Sequence, residues 1–450
     1  MAAWRIKPTY QMECELLNNI GQTFKLLPAC KQNGDVVGKQ SPSIYMVPSL
    51  VRDLSPSSFT PRVVAIGPLH KQDEHLQGYE EQKTTYLHNM LLRLGLVQDQ
   101  TWRICVEKVT RSIEKVKACY AASTAYDDSQ LATMMVIDGF FILEFAASLS
   151  DLKSETNLLI TPNILITRSI IHDLLLIENQ IPFFVLEIIF ECTGLASEKG
   201  ASLAAHIEVL VMYYYLFQGT RIVPCRISTP VHFLAFVHTY YKPVKPMPPV
   251  SLLSCKGHSA MDLCRAGVIF TPNDDDPNWA MAMKLTSTSP FRSWFPDNKF
   301  SWYRRPTLMM PKLRIGDYSE LILRNLIMYE HTPGVTKYVT SFSCALDMLI
   351  DTGADIAVLK KSKVLTCYFG SNEDAAHMIN MLSKNFTCPE FFYDTEWRAL
   401  DGYYNSYWPN TFAGLKRTYF NSPWSIIAVL AAFVLFALTV VQTVFSIKAA

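Results

Sequence analysis

Apolar residues recur at helical spacing along much of this chain. Tyr79, Lys83, Tyr86, Leu87 and Met90, with Gln82 beside them, predict a helix over 76–94. Ile104, Val109, Ile113 and Val116 form the apolar face of a second, over 101–120. Two much more apolar stretches follow, 131–149 with MMVIDGFFILEF and 169–192 with IIHDLLLIENQIPFFVLEIIF. Either resembles a membrane span in hydropathy. However, Asp138 and Glu144 interrupt the first, and Asp173, Glu178 and Glu187 the second. A carboxylate at mid-bilayer costs about 2.5–3.5 kcal/mol, so both are predicted to be central helices of a water-soluble core.

Elsewhere the pattern is more broken. Residues 1–43 are polar and mixed, a loosely ordered lead-in. Pro42, Pro48, Pro56, Pro61 and Pro68 make 44–68 a run of extended segments and turns. The Pro-rich stretch 242–256 is the best candidate for an internal boundary. GHSAMDLCRAGVIF reads as a helix leading into a strand, and 300–303 and 307–315 as short strands. Asp317 is placed to cap a helix through SELILRNLIMYEH, and further helices are expected at 338–350, 372–384 and 411–420. No repeat recurs at 20–50-residue spacing. The expected fold class is mainly α, an α+β chain with a small β element and one globular region over 44–420.

The last apolar run differs from the others. Residues 424–447 are 24 positions without a charge, about 36 Å of helix against a ~30 Å hydrocarbon core. One transmembrane helix is expected there, with membrane lipid as its partner. Ser425, Ala428, Ala432, Leu435, Thr439, Gln442 and Ser446 follow a 3-4 spacing on one face. Ala428, Ala432, Thr439 and Gln442 on that face suit self-association, because small residues let helices approach and a buried amide can bond across them. Lys416 and Arg417 precede the span and only Lys448 follows it, which favours a cytosolic N-terminal region. No apolar segment of signal-peptide type follows Arg5 and Lys7, so targeting falls to the C-terminal helix.

Composition narrows the function. The net charge is +1 and no basic block occurs, which argues against nucleic acid as a partner. Charged residues are only 18% and hydrophobic ones 49%. The 11 cysteines include no C-x-x-C pair and are odd in number, as expected of reduced structural thiols on a cytosolic face. The ten histidines show no metal-ligand grouping, and no cofactor motif is present. Asp274, Asp275 and Asp276 read as a solvated turn, and N-F-T at Asn385 is a lone glycosylation triplet.

One enzyme-like motif occurs. LIDTGADIAVL, 349–359, resembles the active-site strand of retroviral-type aspartic proteases, with Asp351 as the catalytic carboxylate. Such enzymes pair two aspartates, and no second D-T-G is present. The favoured reading is a helix end at Ile350 and a turn over 351–353, with Gly353 supplying positive φ. More informative is Glu178-Asn179-Gln180 between two apolar runs, followed by Pro182. Buried polar groups need partners, so these residues predict a helix–turn–helix junction locked by hydrogen bonds. Pro182 is expected in the first turn of the second helix. Asp138 belongs to the same set of acids within apolar sequence.

Taken in order, these segments resemble the plant family catalogued as domain of unknown function 247. The pieces are IYMVPSLVRDL, FTPRVVAIGPLH, LQGYEEQKTTYL, MMVIDGFFILEF, DLLLIENQIPFFVLEIIF, HFLAFVH, SAMDLCRAGVIF, LRIGDYSELILRNLIMYE and YVTSFSCALDMLIDTGADIAVL. The closing YFNSPWSIIAVLAAFVLFALTVVQTVFS completes the order, over some nine-tenths of the chain. The resemblance departs at Leu69-His70, where a Tyr-His-His type run is usual, and at Phe140, where Cys is frequent. It implies a land-plant protein with one C-terminal membrane helix, at the plasma membrane, and no established catalysis. Some grass members are associated with pollen–stigma self-incompatibility. A recognition or scaffold protein with an unknown protein partner is therefore expected, and a membrane-tethered hydrolase using Asp351 is the alternative.

Overall fold

The computed structural model describes residues 42–154, 164–197, 202–219, 229–245, 247, 256–273, 276, 278–288 and 305–405. Towards the C-terminus it describes 427, 431, 432 and 434–443. The described chain is mainly helical with two small sheets.

The N-terminal half is built around α5, Asp128–Ser154. Packed on it are α2 (Glu80–Arg93), α3 (Gln98–Arg111), α7 (Phe183–Cys192) and α8 (Leu203–Tyr214). The helix expected over 101–120 breaks at Ser112, which ends α3 and precedes the short α4, Ile113–Ala118. The α5 stretch Asp128–Ser150 is the one described helix long and apolar enough to cross a membrane, but 78% of its most apolar window is buried. Phe140, Phe141, Leu143 and Ala146 are fully enclosed by the neighbouring helices, so burial in protein accounts for its hydrophobicity. Gly139 permits the close contact with α7, since a Cβ there would strike the Ile189 side chain.

The C-terminal half is organised by α11, Ser319–Glu330. Around it lie α9 (Phe233–His238), α12 (Tyr338–Leu349) and α14 (Asn372–Leu382). Asp317 is not its cap: Tyr318 occupies the N-cap position and makes no side-chain cap bond. One three-stranded sheet has β1 (Phe217–Gln218) antiparallel to β5 (Lys312–Ile315), which runs parallel to β6 (Leu365–Cys367). In the other, β4 (Arg305–Met310) lies between parallel β2 (Ile269–Pro272) and antiparallel β3 (Lys284–Thr288). The helix leading into β2 is α10, Ala260–Ala266, ended by Gly267 in the left-handed region. The buried apolar side chains form one continuous cluster from Ile44 to Leu400. Of the connector 242–256, residues 246 and 248–255 lie outside the described residues, as do 1–41, 300–303 and 411–420.

The D-T-G segment is a correction. Gly353 does not have positive φ; it opens a helix, α13, Gly353–Lys361. Thr352 is the N-cap, and Asp355 reaches back in a capping box, accepting from the Thr352 N–H at 2.9 Å. A Cβ at position 353 would meet the Glu373 carboxylate, the end of an exposed and flexible side chain that can move aside.

Of the expected span, most lies outside the described residues, Ala428 among them. Ile427, Ala431, Ala432 and α16 (Val434–Thr443) are helical and exposed. Ten residues reach only about 15 Å, so a complete crossing is not established by this stretch.

Candidate functional site

The segment Pro61–Gly67 is neither helix nor strand, bends at Arg62 and Val63, and belongs to neither sheet. A buried backbone without a ladder must find other partners. It finds them in side chains from α2, α5, α6 (Ile164–Asp173) and the 178–180 turn. Asp173 accepts the N–H groups of Arg62 (2.9 Å), Val63 (2.7 Å) and Val64 (3.0 Å). Asn179 accepts from the Ile66 N–H at 2.7 Å and donates to the Val64 carbonyl at 3.0 Å. Asp138 accepts the Gly67 N–H at 2.7 Å, and Lys83 donates to the Ala65 carbonyl. Side chains thus replace a neighbouring strand along this run.

Each contact explains a polar residue in otherwise apolar sequence. Lys83 and Asp138 are fully buried and form an ion pair at 2.7 Å, with Glu80 on the far side of the ammonium at 2.8 Å. Burial opposes the Lys83 charge, but the Asp138 and Glu80 carboxylates outweigh it and raise its pKa. Burial pushes the Asp173 carboxyl up to about 6 against the pull of the Val64, Arg62 and Val63 N–H groups. It is therefore ionised at neutral pH and accepts those bonds as a carboxylate.

The 178–180 turn closes the seam. Gln180 donates to the Leu174 (2.8 Å) and Leu176 (2.9 Å) carbonyls, and accepts the Leu234 N–H at the start of α9 (2.9 Å). Gly67 packs on the Gln180 carbonyl with φ of +74°, where a Cβ would approach that oxygen to 2.6 Å. Glycine therefore serves both the left-handed conformation and the close approach. Pro182 is the N-cap of α7 rather than a residue of its first turn. Its extended ψ of 136° turns the chain into the helix.

Glu178 is fully buried and accepts from the Val47 N–H, Arg52 and His70. His70 lies between two carboxylates, Glu178 at 2.9 Å and Asp73 at 2.8 Å. Burial disfavours a charged imidazole, but Glu178 and Asp73 raise its pKa above the usual value. Glu178 is likewise opposed by burial, yet His70, Arg52 and the Val47 N–H hold it below the ordinary carboxylate range. The stability each contributes has a defined sign. The His70 share is complete below its unfolded pKa of about 6.5 and lost as pH rises through the higher folded value. The Glu178 share is complete above about 4.3 and lost as pH falls through the lower folded value. The melting-temperature gap between wild type and His70→Gln should therefore be widest near pH 5–6 and narrow towards alkaline pH. A gap that widens with pH would contradict the assignment.

A second buried centre lies within the C-terminal half. Glu330, at the end of α11, accepts from His238 Nε2 (2.7 Å), the N–H groups of Val339 and Thr340 (both 2.7 Å) and the Thr340 hydroxyl (2.8 Å). It thereby serves the free N–H groups at the start of α12. Burial pulls the His238 pKa down. On α11 also, Asn325 accepts from Ile177 N–H at 2.9 Å and donates to the Ser58 carbonyl at 2.7 Å.

The sequence-singled residues Asp138, Glu178, Asn179, Gln180 and Pro182 therefore converge on one seam, together with Lys83, His70, Asp173 and Gly67. Asp351 lies apart, exposed in the turn between α12 and α13. Of the self-association face, Ala432, Thr439 and Gln442 are described as exposed and helical. The Thr439 hydroxyl donates to its own helix at Leu435, 2.8 Å. Among the described residues no cluster of His, Cys, Asp and Glu is suited to a metal. Asp276 bonds Lys284 (2.6 Å) and the Asn278 N–H (2.8 Å), while Asp274 and Asp275 lie outside the described residues.

The class is a mainly helical chain whose buried acids and amides hold the irregular segment 61–67 in its core. The chain belongs to the family described as plant protein of unknown function, DUF247, whose model matches residues 44–438. It is 24% identical to UPF0481 protein At3g47200 of Arabidopsis thaliana, over 91% of this chain and 87% of that one. It is 25% identical to the putative UPF0481 protein At3g02645 of the same plant, over 89% of each. No solved structure matches.

Proposed function

We propose that this chain is a single-pass membrane-anchored recognition or scaffold protein without chemistry of its own. Its globular region faces the cytosol, at the plasma membrane, and its partner is another protein. The observation carrying this reading is the contrast between two apolar helices. The α5 helix is hydrophobic and enclosed, whereas in α16 Val434, Leu435, Phe436, Leu438, Val440 and Val441 are all exposed, Phe436 to 68%. A helix apolar on every side needs protein or lipid around it, and the charge-free sequence 424–447 has the length to span a bilayer. The same helix offers Ala428, Ala432, Thr439 and Gln442 for pairing with a second copy.

Support against catalysis comes from occupancy. Asp138, Glu178 and Asp173 are each engaged by several structural donors, which leaves them poorly placed to exchange protons with a substrate. The hydrolase alternative rests on Asp351, whose segment is a helical cap rather than the strand end of an aspartic protease. The full chain expressed in plant cells should remain in membranes washed with alkaline carbonate, and a chain ending at Phe420 should not. On sealed plasma-membrane vesicles the globular region should be digested only from the cytosolic side. Release of the full chain by carbonate would end the anchor reading, and a glycan on Asn385 would reverse the orientation.

A further inference from the structure

A groove of about 450 Å³ opens where α6, the end of α8, β5 and the start of α11 meet. Its walls carry Arg168 and Arg314, with His172, Tyr213, Tyr318 and Tyr368 between them. One acid, Asp317, opposes the two arginines. We propose that this groove binds an acidic segment of a protein partner that also presents an aromatic side chain. This deepens the recognition reading and rests on it.

Three observations favour such a ligand. The first is charge. Arg168 is exposed, and Arg314 is half-buried at the groove, held by a bond from Nη2 to the Tyr215 carbonyl at 3.1 Å. Guanidinium groups suit carboxylates because their planar N–H forks bind two oxygens at once. Arg62 adds to the positive field: with Arg168 it assists burial in lowering the His172 pKa to about 4. His172 is therefore neutral at physiological pH, and the local excess of charge belongs to the arginines.

The second is the aromatic lining. His172 stacks on Tyr318 with centroids 3.5 Å apart and planes 20° from parallel, which gives the wall a flat apolar surface. Tyr213 and Tyr368 stand at 37% and 67% exposure, far from the burial usual for such rings in this core. Exposed tyrosines beside arginine are the composition of protein-binding surfaces. The third is an unmet polar group. His172 is 7% exposed, and its Nδ1 is buried without a hydrogen-bond partner, which is uncommon in a settled core.

A concave groove with two arginines, rather than a broad basic face, favours a peptide over an anionic bilayer. The test uses the full chain in detergent micelles and a short fluorescein-labelled peptide of alternating Glu and Tyr. Fluorescence anisotropy should report saturable binding, weakened by salt. Arg168→Glu should weaken it about tenfold or more, whereas Arg265→Glu, an exposed arginine elsewhere, should leave it unchanged. The same peptide with Lys for Glu should not bind. Absent binding, or equal binding by Arg168→Glu, overturns the proposal. Capture by phosphatidylserine vesicles through Arg168 without peptide binding would overturn it in favour of a lipid surface. Anchorage is read separately by carbonate extraction, so failure of one reading does not conceal failure of the other.

Discussion

Replacing Asp138 with alanine is expected to destabilise the globular region by about 3–5 kcal/mol, a large share of the 5–15 kcal/mol typical of folded domains. Asp138 and Lys83 are both fully buried. Without the carboxylate, the ammonium keeps only Glu80 and the Ala65 carbonyl, and the Gly67 N–H loses its acceptor. The main cost is therefore a buried charge left short of partners, not the net worth of the pair. That distinction has a measurable consequence. Lys83→Met with Asp138→Leu should be less damaging than Asp138→Ala alone, because the pair removes both charges together. Chemical denaturation of the single and double variants tests this. A single variant within about 0.5 kcal/mol of wild type would show that Asp138 is not an essential member of the seam.

Helical periodicity located most of the core because burial and period coincide there. In α5 and α7 the apolar residues that define the pattern are also those enclosed by neighbours. The acids in and before them, Asp138, Glu144, Asp173 and Glu178, are buried as well, and their partners lie far away in sequence. Glu178 meets His70 across 108 residues, and Lys83 meets Asp138 across 55. No local pattern specifies such pairs. The signal that could have found them is an accounting one: an irregular, proline-punctuated segment before Gly67 needs acceptors and donors, and polar residues in apolar helices are the available supply.

The errors at helix ends have a related cause. Asp317 is an acceptable cap by residue type, but the turn before α11 places Tyr318 at that position. The α13 helix starts inside the D-T-G triplet, whose turn-like composition masks it. Its signal was nevertheless present, since Thr352 and Asp355 have the spacing of a capping box. The helix α15, Asp394–Tyr404, has no clear signal in the sequence. It is mostly polar, and of its side chains only Trp397 and Leu400 are buried, too few to produce a strong period.

Replacing Asn179 and Gln180 together with alanine is expected to cost about 2–6 kcal/mol, taking about 1–3 kcal/mol for the groups each side chain leaves unpaired. The Asn179 change exposes the loss at the Ile66 N–H and at the Val64 and Asp173 carbonyls. The Gln180 change does so at the Leu234 N–H and the Leu174 and Leu176 carbonyls. These groups are buried and lie on different elements, so water can reach them only if the seam opens. The damage should therefore appear as a lower melting temperature and faster amide exchange at 62–67, the segment that relies on the turn. Partner binding should fall only as far as the folded fraction falls. Unchanged melting with lost binding would instead make the two amides recognition residues. Asn179→Asp separates geometry from charge: it keeps an acceptor for Ile66 but loses the amide donor to two carbonyls, and adds a carboxylate beside the ionised Asp173. It should be more damaging than Asn179→Ala at neutral pH, and the excess should fade as pH falls below the Asp173 value of about 6.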